Sequence, residues 1–192
     1  MTPLEIVHLV AARLDKLDIP YMVGGSFASS LYGFSRTTQD ADFIIDIAGG
    51  QVERFIELFE NEFYVSRTLI DQALRSGNSF NIIHLESSFK VDFFAIRGDR
   101  YGHLAITRRG LKQIDPELPI QTYLQSAEDT VLAKLAWYRK GGRVSELQWG
   151  DVIGVLRTQA ERLELSYLKQ WAAHLGVAEL LDGAIKEAKL EG

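Results

Sequence analysis

A twenty-residue stretch, Gly24 to Phe43, constrains the fold of this chain more than any other segment. It begins with a Gly-Gly-Ser turn between a short apolar strand and a helix. It ends with two aspartates, Asp40 and Asp42, at the start of a second apolar strand. A helix and a return loop between the two strands would bring both ends of the stretch to one edge of a sheet. The segment therefore predicts a fold in which a sheet carries functional groups at that edge.

Three aspartates form the candidate metal site. Residues two apart in a strand project to the same face, so Asp40 and Asp42 share one side. Asp92 lies in a later apolar strand, where an unpaired carboxylate would be costly to bury. Like charges repel unless a cation neutralises them, and Mg²⁺ prefers carboxylate and phosphate oxygens. By themselves, Asp40 and Asp42 are better explained as a turn residue and a solvated strand end. Asp92 and the upstream glycine turn shift the balance toward a site for a pair of Mg²⁺ ions.

The Gly24-Gly25-Ser26 turn is the candidate phosphate site. Glycines let the backbone approach a phosphate closely, and a helix N-terminus offers free N–H groups and a favourable dipole. Ser26 adds a hydroxyl donor, and it is also predicted to cap the helix 27–33. A plain strand-to-helix turn with a serine cap remains the alternative interpretation.

Four further residues are candidates for binding a nucleotide. Lys134 lies on an otherwise apolar helix face, where a lysine either extends its ammonium to solvent or reaches into a cleft. Asp151, on the next helix, either orients Lys134, contacts a base or ribose, or is solvated. Arg36 and Thr38 precede the acid pair and are predicted near the γ-phosphate, although Arg36 is also explained by pairing with an acid.

Composition excludes several classes of protein. The net charge of −5 argues against a broad surface that coats nucleic acid. The absence of cysteine excludes disulfides and thiolate metal sites. The N-terminus lacks the pattern of a secretion signal, and no window has the length and apolarity of a membrane span. We therefore expect a cytoplasmic protein that does not bind a membrane.

The pattern of elements changes near Asp115-Pro-Glu-Leu-Pro119. Before it, strands and helices alternate, and residues 101–107 are predicted to add a strand or to cover a sheet edge. After it, only helices are predicted, the first being 127–140 with Ser126 as its N-cap. The predicted division is an α/β domain, 1–118, and a C-terminal helical domain, 119–192.

The combined motifs resemble the nucleotidyltransferase superfamily, whose founding fold is the palm of DNA polymerase β. That pattern is an apolar residue, Gly, and Gly or Ser, then Asp-x-Asp after a short helix, then a third acid on a later strand. The run from Arg36 to Asp40 and the segment 128–151 also resemble the bacterial minimal and abortive-infection (AbiEii-like) branches. The resemblance covers residues 20–155.

The resemblance implies an α+β fold, with a nucleotidyltransferase-type mixed sheet, flanking helices and a C-terminal helical bundle. It implies Mg²⁺-dependent transfer of a nucleoside monophosphate from a nucleoside triphosphate to a hydroxyl acceptor: an RNA end, a protein or an aminoglycoside-like small molecule. It also implies a place in a toxin–antitoxin or phage-defence system, with a cognate antitoxin or toxin as partner. The implied catalytic and metal residues are Asp40, Asp42 and Asp92, and the implied nucleotide-binding residues are Gly24, Gly25, Ser26, Arg36, Thr38, Lys134 and Asp151. The alternative is a catalytically silent regulatory or antitoxin-type protein that keeps the fold.

Overall fold

The structure, a computed structural model, describes residues 1–34, 38–96, 98, 100–115 and 119–189. Its helices are α1 (Pro3–Lys16), α2 (Gly25–Tyr32), α3 (Val52–Phe59), α4 (Arg67–Ser76), α5 (Arg100–Thr107), α6 (Ala127–Lys140), α7 (Glu146–Gln159), α8 (Leu165–His174) and α9 (Ala178–Ala188). Its strands are β1 (Tyr21–Val23), β2 (Asp40–Ile45), β3 (Phe63–Tyr64), β4 (Ser79–His84), β5 (Lys90–Ala95), β6 (Gly110–Gln113) and β7 (Gln121–Leu124). None of the helices in these ranges is long and apolar enough to cross a membrane.

The described strands form one mixed sheet in the order β3-β4-β5-β2-β1-β7-β6. The pairs β2–β5 and β1–β7 are parallel, and the other neighbouring pairs are antiparallel. Strands β4 and β5 follow each other in the chain and pair antiparallel as a hairpin. The sheet therefore places β2, which carries Asp40 and Asp42, beside β5, which carries Asp92.

One face of the sheet is covered by an aromatic core. Phe43 on β2 and Phe93 on β5 are fully buried, and their ring centroids are 5.6 Å apart. Phe55 of α3 packs edge-on against Phe93, with centroids 5.4 Å apart, and Phe80 of β4 stacks on Phe93 at 5.1 Å. Such aromatic pairs add about 1 kcal/mol each beyond the burial of their area. Alternation then directs the residues between these aromatics to the opposite face.

Two compact units make up the chain. The sheet unit consists of residues 1–24 with the described part of 38–124, and the helical unit consists of the described residues among 25–37 and 125–192. These two units therefore differ from the predicted domains 1–118 and 119–192. Helix α2 belongs to the helical unit because it packs on α6 and α7, and β7 belongs to the sheet unit because it pairs with β1 and β6.

Local sequence signals explain the helical unit. The predicted cap of α6 is confirmed, since the Ser126 hydroxyl accepts the backbone N–H of Asp129 at 3.0 Å. Helix α7 packs against α2, α6 and α9. Gly33, just after α2, lies so close to α7 that an added Cβ would be 2.9 Å from backbone atoms of Gly154 and Val155. Glycine is thus needed for this close approach.

Three local predictions differ from the structure. Residues 101–107 were expected to add a strand or to cover a sheet edge. The strand is ruled out because they form helix α5, in which Thr107 Oγ1 donates to the carbonyl of Leu104, one turn back. Strand β7 lies beyond the predicted boundary, where only helices were expected; its four residues are too few to give a clear pattern, yet Thr122 and Leu124 are fully buried. Helix α2 begins at Gly25, so Ser26 lies within its first turn and does not precede the helix as a cap.

Candidate active site

The register between β2 and β5 brings the predicted acids onto one face of the sheet unit. Asp42 is paired with Asp92, and Asp40 is paired with Lys90. Partners in register on adjacent strands project to the same face. The neighbours Ala41 and Val91 are fully buried on the other face. Four charged side chains therefore share the surface opposite the aromatic core, and we call them the acid face: Asp40, Asp42, Lys90 and Asp92.

Lys90 is the cation of the acid face. Its Nζ lies 2.6 Å from Asp92 Oδ2 and 3.7 Å from Asp40 Oδ2. The hydrogen bond that Lys90 donates to Asp92 raises the pKa of Lys90, and the negative charges of Asp92, Asp40 and Asp42 act in the same direction, against partial burial. All three predicted acids therefore act electrostatically on one ammonium group.

Hydrogen bonds from Thr38 and Gly24 hold strand β2 in place at its acidic end. Thr38 Oγ1 donates to Asp40, lying 3.1 Å from Oδ1 and 3.0 Å from the backbone carbonyl. The backbone N–H of Gly24 donates to the carbonyl of Asp42 at 2.8 Å, extending the β1–β2 pairing to the predicted glycine turn. Thr38 thus orients the side chain of Asp40, and Gly24 is hydrogen-bonded to the backbone of Asp42.

The donor set of the acid face fits a divalent cation in chemical kind, because it consists of carboxylate oxygens. As the side chains stand, however, the described part of the chain contains no group of three His, Cys, Asp or Glu residues placed to hold a metal ion. The Asp92 oxygen nearest to Lys90 is engaged by the ammonium at 2.6 Å. Metal binding through this oxygen of Asp92 would therefore require the ion pair to open.

The remaining predicted residues of the turn begin the helical unit. Gly25 has a left-handed φ of 54°, a conformation that glycine adopts without strain. Ser26, in the first turn of α2, is 9% exposed, and its carbonyl accepts the hydroxyl of Ser29 at 3.3 Å. Arg36 lies outside the described residues. The phosphate-binding role of Gly25 and Ser26 stays a prediction.

Lys134 and Asp151 form a buried ion pair within the helical unit. Lys134 Nζ lies 2.8 Å from Asp151 Oδ2, and the two side chains are only 5% and 8% exposed. The lysine therefore does not extend to solvent. Asp151 also lines a cleft of about 630 Å³ together with Tyr138 and Trp149, whose ring centroids are 5.2 Å apart. That volume is in the range of small-molecule sites.

Sequence reasoning did not identify Lys90 as a member of the site. The signal was present, because Lys90 precedes Asp92 by two residues in a strand, the same spacing that placed Asp40 with Asp42. Its contact with Asp40 on the neighbouring strand depends on the strand register, which spacing alone does not provide.

Comparison with solved structures identifies the fold. A crystal structure of an antigenic nucleotidyltransferase-like protein from Paracoccidioides brasiliensis aligns with 95% of this chain and 91% of its own, at a TM-score of 0.54 and 18% identity. The solution structure of the antibiotic-resistance factor ANT(2'')-Ia aligns with 88% of this chain and 92% of its own, at a TM-score of 0.51 and 14% identity. No protein-family model and no curated protein sequence matches the chain. The predicted α+β class with a mixed sheet is thus confirmed, and the chain has the fold of nucleotidyltransferase-like proteins.

Proposed function

We propose that this protein is a magnesium-dependent nucleotidyltransferase that transfers a nucleoside monophosphate from a nucleoside triphosphate to a hydroxyl acceptor. The observation that carries the proposal is the register of β2 and β5, which sets Asp42 beside Asp92 with Asp40 on the same face. The fold shared with nucleotidyltransferase-like structures supports it.

The acid face supplies the groups that this chemistry requires. Asp40 and Asp42 would hold Mg²⁺, with Asp92 as a further ligand. When bound, Mg²⁺ supplies positive charge against the triphosphate. The acceptor hydroxyl oxygen forms a bond to the α-phosphorus, the bond from that phosphorus to the bridging oxygen breaks, and pyrophosphate leaves. Asp92 would take the proton of the acceptor hydroxyl as general base.

The nucleotide-binding residues of the proposal are those that the motifs single out. Gly25 and Ser26 would offer backbone N–H groups and a hydroxyl to phosphate oxygens. Gly24, whose own N–H pairs with the carbonyl of Asp42, would let the phosphate approach the turn closely. Thr38 already orients Asp40, which supports a role beside the metal. Lys134 would contribute charge while Asp151 holds its ammonium in position, as the 2.8 Å contact allows. Arg36 belongs to the proposal on the sequence motif alone.

A labelling experiment tests the proposal. The purified protein is incubated with Mg²⁺ and each α-³²P-labelled nucleoside triphosphate, together with total RNA, lysate protein or an aminoglycoside. We expect label in one acceptor class and none when Mg²⁺ is chelated. Isothermal calorimetry with a non-hydrolysable triphosphate should show binding that depends on Mg²⁺. Absence of both signals would refute the proposal.

The matched variants are Asp40→Ala with Asp42→Ala, and Asp46→Ala as control. Asp46 lies just beyond the same strand, and its side chain is 40% exposed, against 41% for Asp40. At about 3.3 Å per residue it lies roughly 13 Å along the strand from Asp42. The double variant should lose Mg²⁺-dependent nucleotide binding while keeping its circular dichroism spectrum, and Asp46→Ala should retain binding.

A catalytically silent regulatory protein is the second candidate. The observation that favours it is Lys90, which already compensates the charge of Asp92 and Asp40. The two candidates differ in turnover, because a silent protein would bind the triphosphate in calorimetry without releasing pyrophosphate in any acceptor mixture.

A place in a toxin–antitoxin or phage-defence system belongs to the proposal through the resemblance to the AbiEii-like branch. An active toxin should arrest growth when expressed, and the Asp40→Ala with Asp42→Ala variant should not. Arrest that persists in this variant would contradict a toxin role that depends on nucleotidyl transfer.

A further inference from the structure

Within the acid face, Lys90 contacts two of the three aspartates. Its ammonium contacts Asp92 at 2.6 Å and Asp40 at 3.7 Å, so a single side chain spans carboxylates on two adjacent strands. The three aspartates would otherwise present like charges on one face, since Asp42 lies in register with Asp92. An opposite charge at hydrogen-bond distance offsets that repulsion.

A divalent cation coordinated through Asp92 Oδ2 would compete with Lys90 for that oxygen. Mg²⁺ is coordinated by carboxylate oxygens at about 2.1 Å, so it cannot share Asp92 Oδ2 with an ammonium group on the same side. The positive charges of Mg²⁺ and of Lys90 would also repel each other at such a distance. A cation held by Asp92 Oδ2 and the ammonium of Lys90 in its observed position therefore exclude each other.

The exposures of Lys90 and Asp92 favour displacement of the lysine over displacement of the carboxylate. Lys90 is 41% exposed, whereas Asp92 is only 15% exposed and is held by a strand in the middle of the sheet. A lysine carries its charge on a flexible four-carbon stem and can turn toward water at low cost. The carboxylate stays in place, and the ammonium is the group that leaves.

We propose that Lys90 is an internal counter-ion of the acid face, which neutralises the aspartates in the metal-free protein and withdraws when a divalent cation binds. Lys90 thus competes with the metal and sets the concentration at which the site fills. This inference rests on the proposed metal site, and it assigns to Lys90 a positioning role that neither the sequence motif nor the fold comparison provides.

Calorimetry with Mn²⁺, a hard divalent ion that stands in for Mg²⁺, tests the competition. Lys90→Met removes the charge and keeps the length of the side chain, whereas Lys90→Arg keeps the charge. A partly exposed ion pair of this kind corresponds to about a fivefold change in an equilibrium constant. We expect Lys90→Met to bind Mn²⁺ about fivefold more tightly than the wild type, and Lys90→Arg to stay within about twofold of it.

The outcomes separate the inference from the proposed function. Equal or weaker binding by Lys90→Met would overturn the competition while leaving the metal site intact. Binding by none of the three proteins would overturn the metal site and the inference together. Tighter binding by Lys90→Met, with Lys90→Arg unchanged, supports both.

A measurement on the wild type keeps the inference testable if Lys90→Met does not fold. Acetylation of individual lysines is followed by mass spectrometry with and without Mg²⁺. Release from the carboxylates should raise the labelling rate of Lys90 by about threefold or more, because the ammonium loses its stabilising partners. Lys112, an exposed residue of β6, serves as the internal reference and should not change. An unchanged rate at Lys90, when calorimetry shows that Mg²⁺ has bound, would refute the withdrawal.

Discussion

Breaking the Lys134–Asp151 pair should strongly destabilise the helical unit. The two side chains are 5% and 8% exposed and meet at 2.8 Å, so removing one partner leaves the other as an uncompensated buried charge. Loss of one member of such a pair costs about 3–5 kcal/mol. In Lys134→Met, the remaining Asp151 can instead become neutral by taking up a proton. Protonating a carboxyl group of ordinary pKa at pH 7 costs about 4 kcal/mol, which sets an upper limit for Lys134→Met. We therefore predict that Lys134→Met lowers the free energy of unfolding by about 3–4 kcal/mol at pH 7.

A double-mutant cycle gives the coupling between the two residues. Lys134→Met combined with Asp151→Leu removes both charges, and apolar replacements of a buried pair are often neutral. We expect the double variant to lie within about 2 kcal/mol of the wild type. If protonation of Asp151 is the route, the cost of Lys134→Met should also fall by about 1.4 kcal/mol per pH unit as the pH is lowered from 7.

Tryptophan fluorescence in urea is the appropriate assay. The chain has three tryptophans, Trp137, Trp149 and Trp171, and all of them belong to the helical unit. The signal therefore follows the unit that contains the pair, and circular dichroism follows the whole chain. A cost below about 1 kcal/mol for Lys134→Met, or a double variant that is no more stable than Lys134→Met, would refute the reasoning.

Three further predictions concern backbone and protonation. Gly33→Ala should destabilise the helical unit by about 1–3 kcal/mol, because its Cβ would lie 2.9 Å from the backbone of Gly154. Gly150→Ala should instead stabilise helix α7 by about 0.5–1 kcal/mol, because the added Cβ meets nothing within 4 Å. The midpoints of urea unfolding compare the two variants. Gly25→Ala should cost about 1–2 kcal/mol in the same assay because φ is 54°, and an unchanged midpoint would contradict this. Burial lowers the pKa of His8 below 6.5, so folding disfavours protonation of this side chain. The contribution of neutral His8 to stability is complete above pH 6.5 and is lost as the pH falls below that value. The urea midpoint of His8→Asn should therefore decrease less between pH 7.5 and 5 than that of the wild type.

Prediction from the sequence succeeded where a local rule was sufficient. Ser126 caps α6 because a hydroxyl three residues before a free N–H reaches it in any helix with this start. Asp40 and Asp42 share a face because side chains alternate along every strand. The strand alternative was wrong for residues 101–107, because so short a segment has no periodicity long enough to separate strand from helix.

The amino-acid sequence by itself determined the elements that carry the candidate site: a glycine turn, two aspartates two residues apart, and a third aspartate in an apolar strand. Only the tertiary structure decided that Asp42 pairs with Asp92, that Lys90 reaches Asp40 across the strands, and that Lys134 is buried against Asp151. The reason is physical. Alternation and capping follow from backbone geometry within a few residues, whereas strand register and helix packing are set by how apolar surfaces far apart in sequence are buried together.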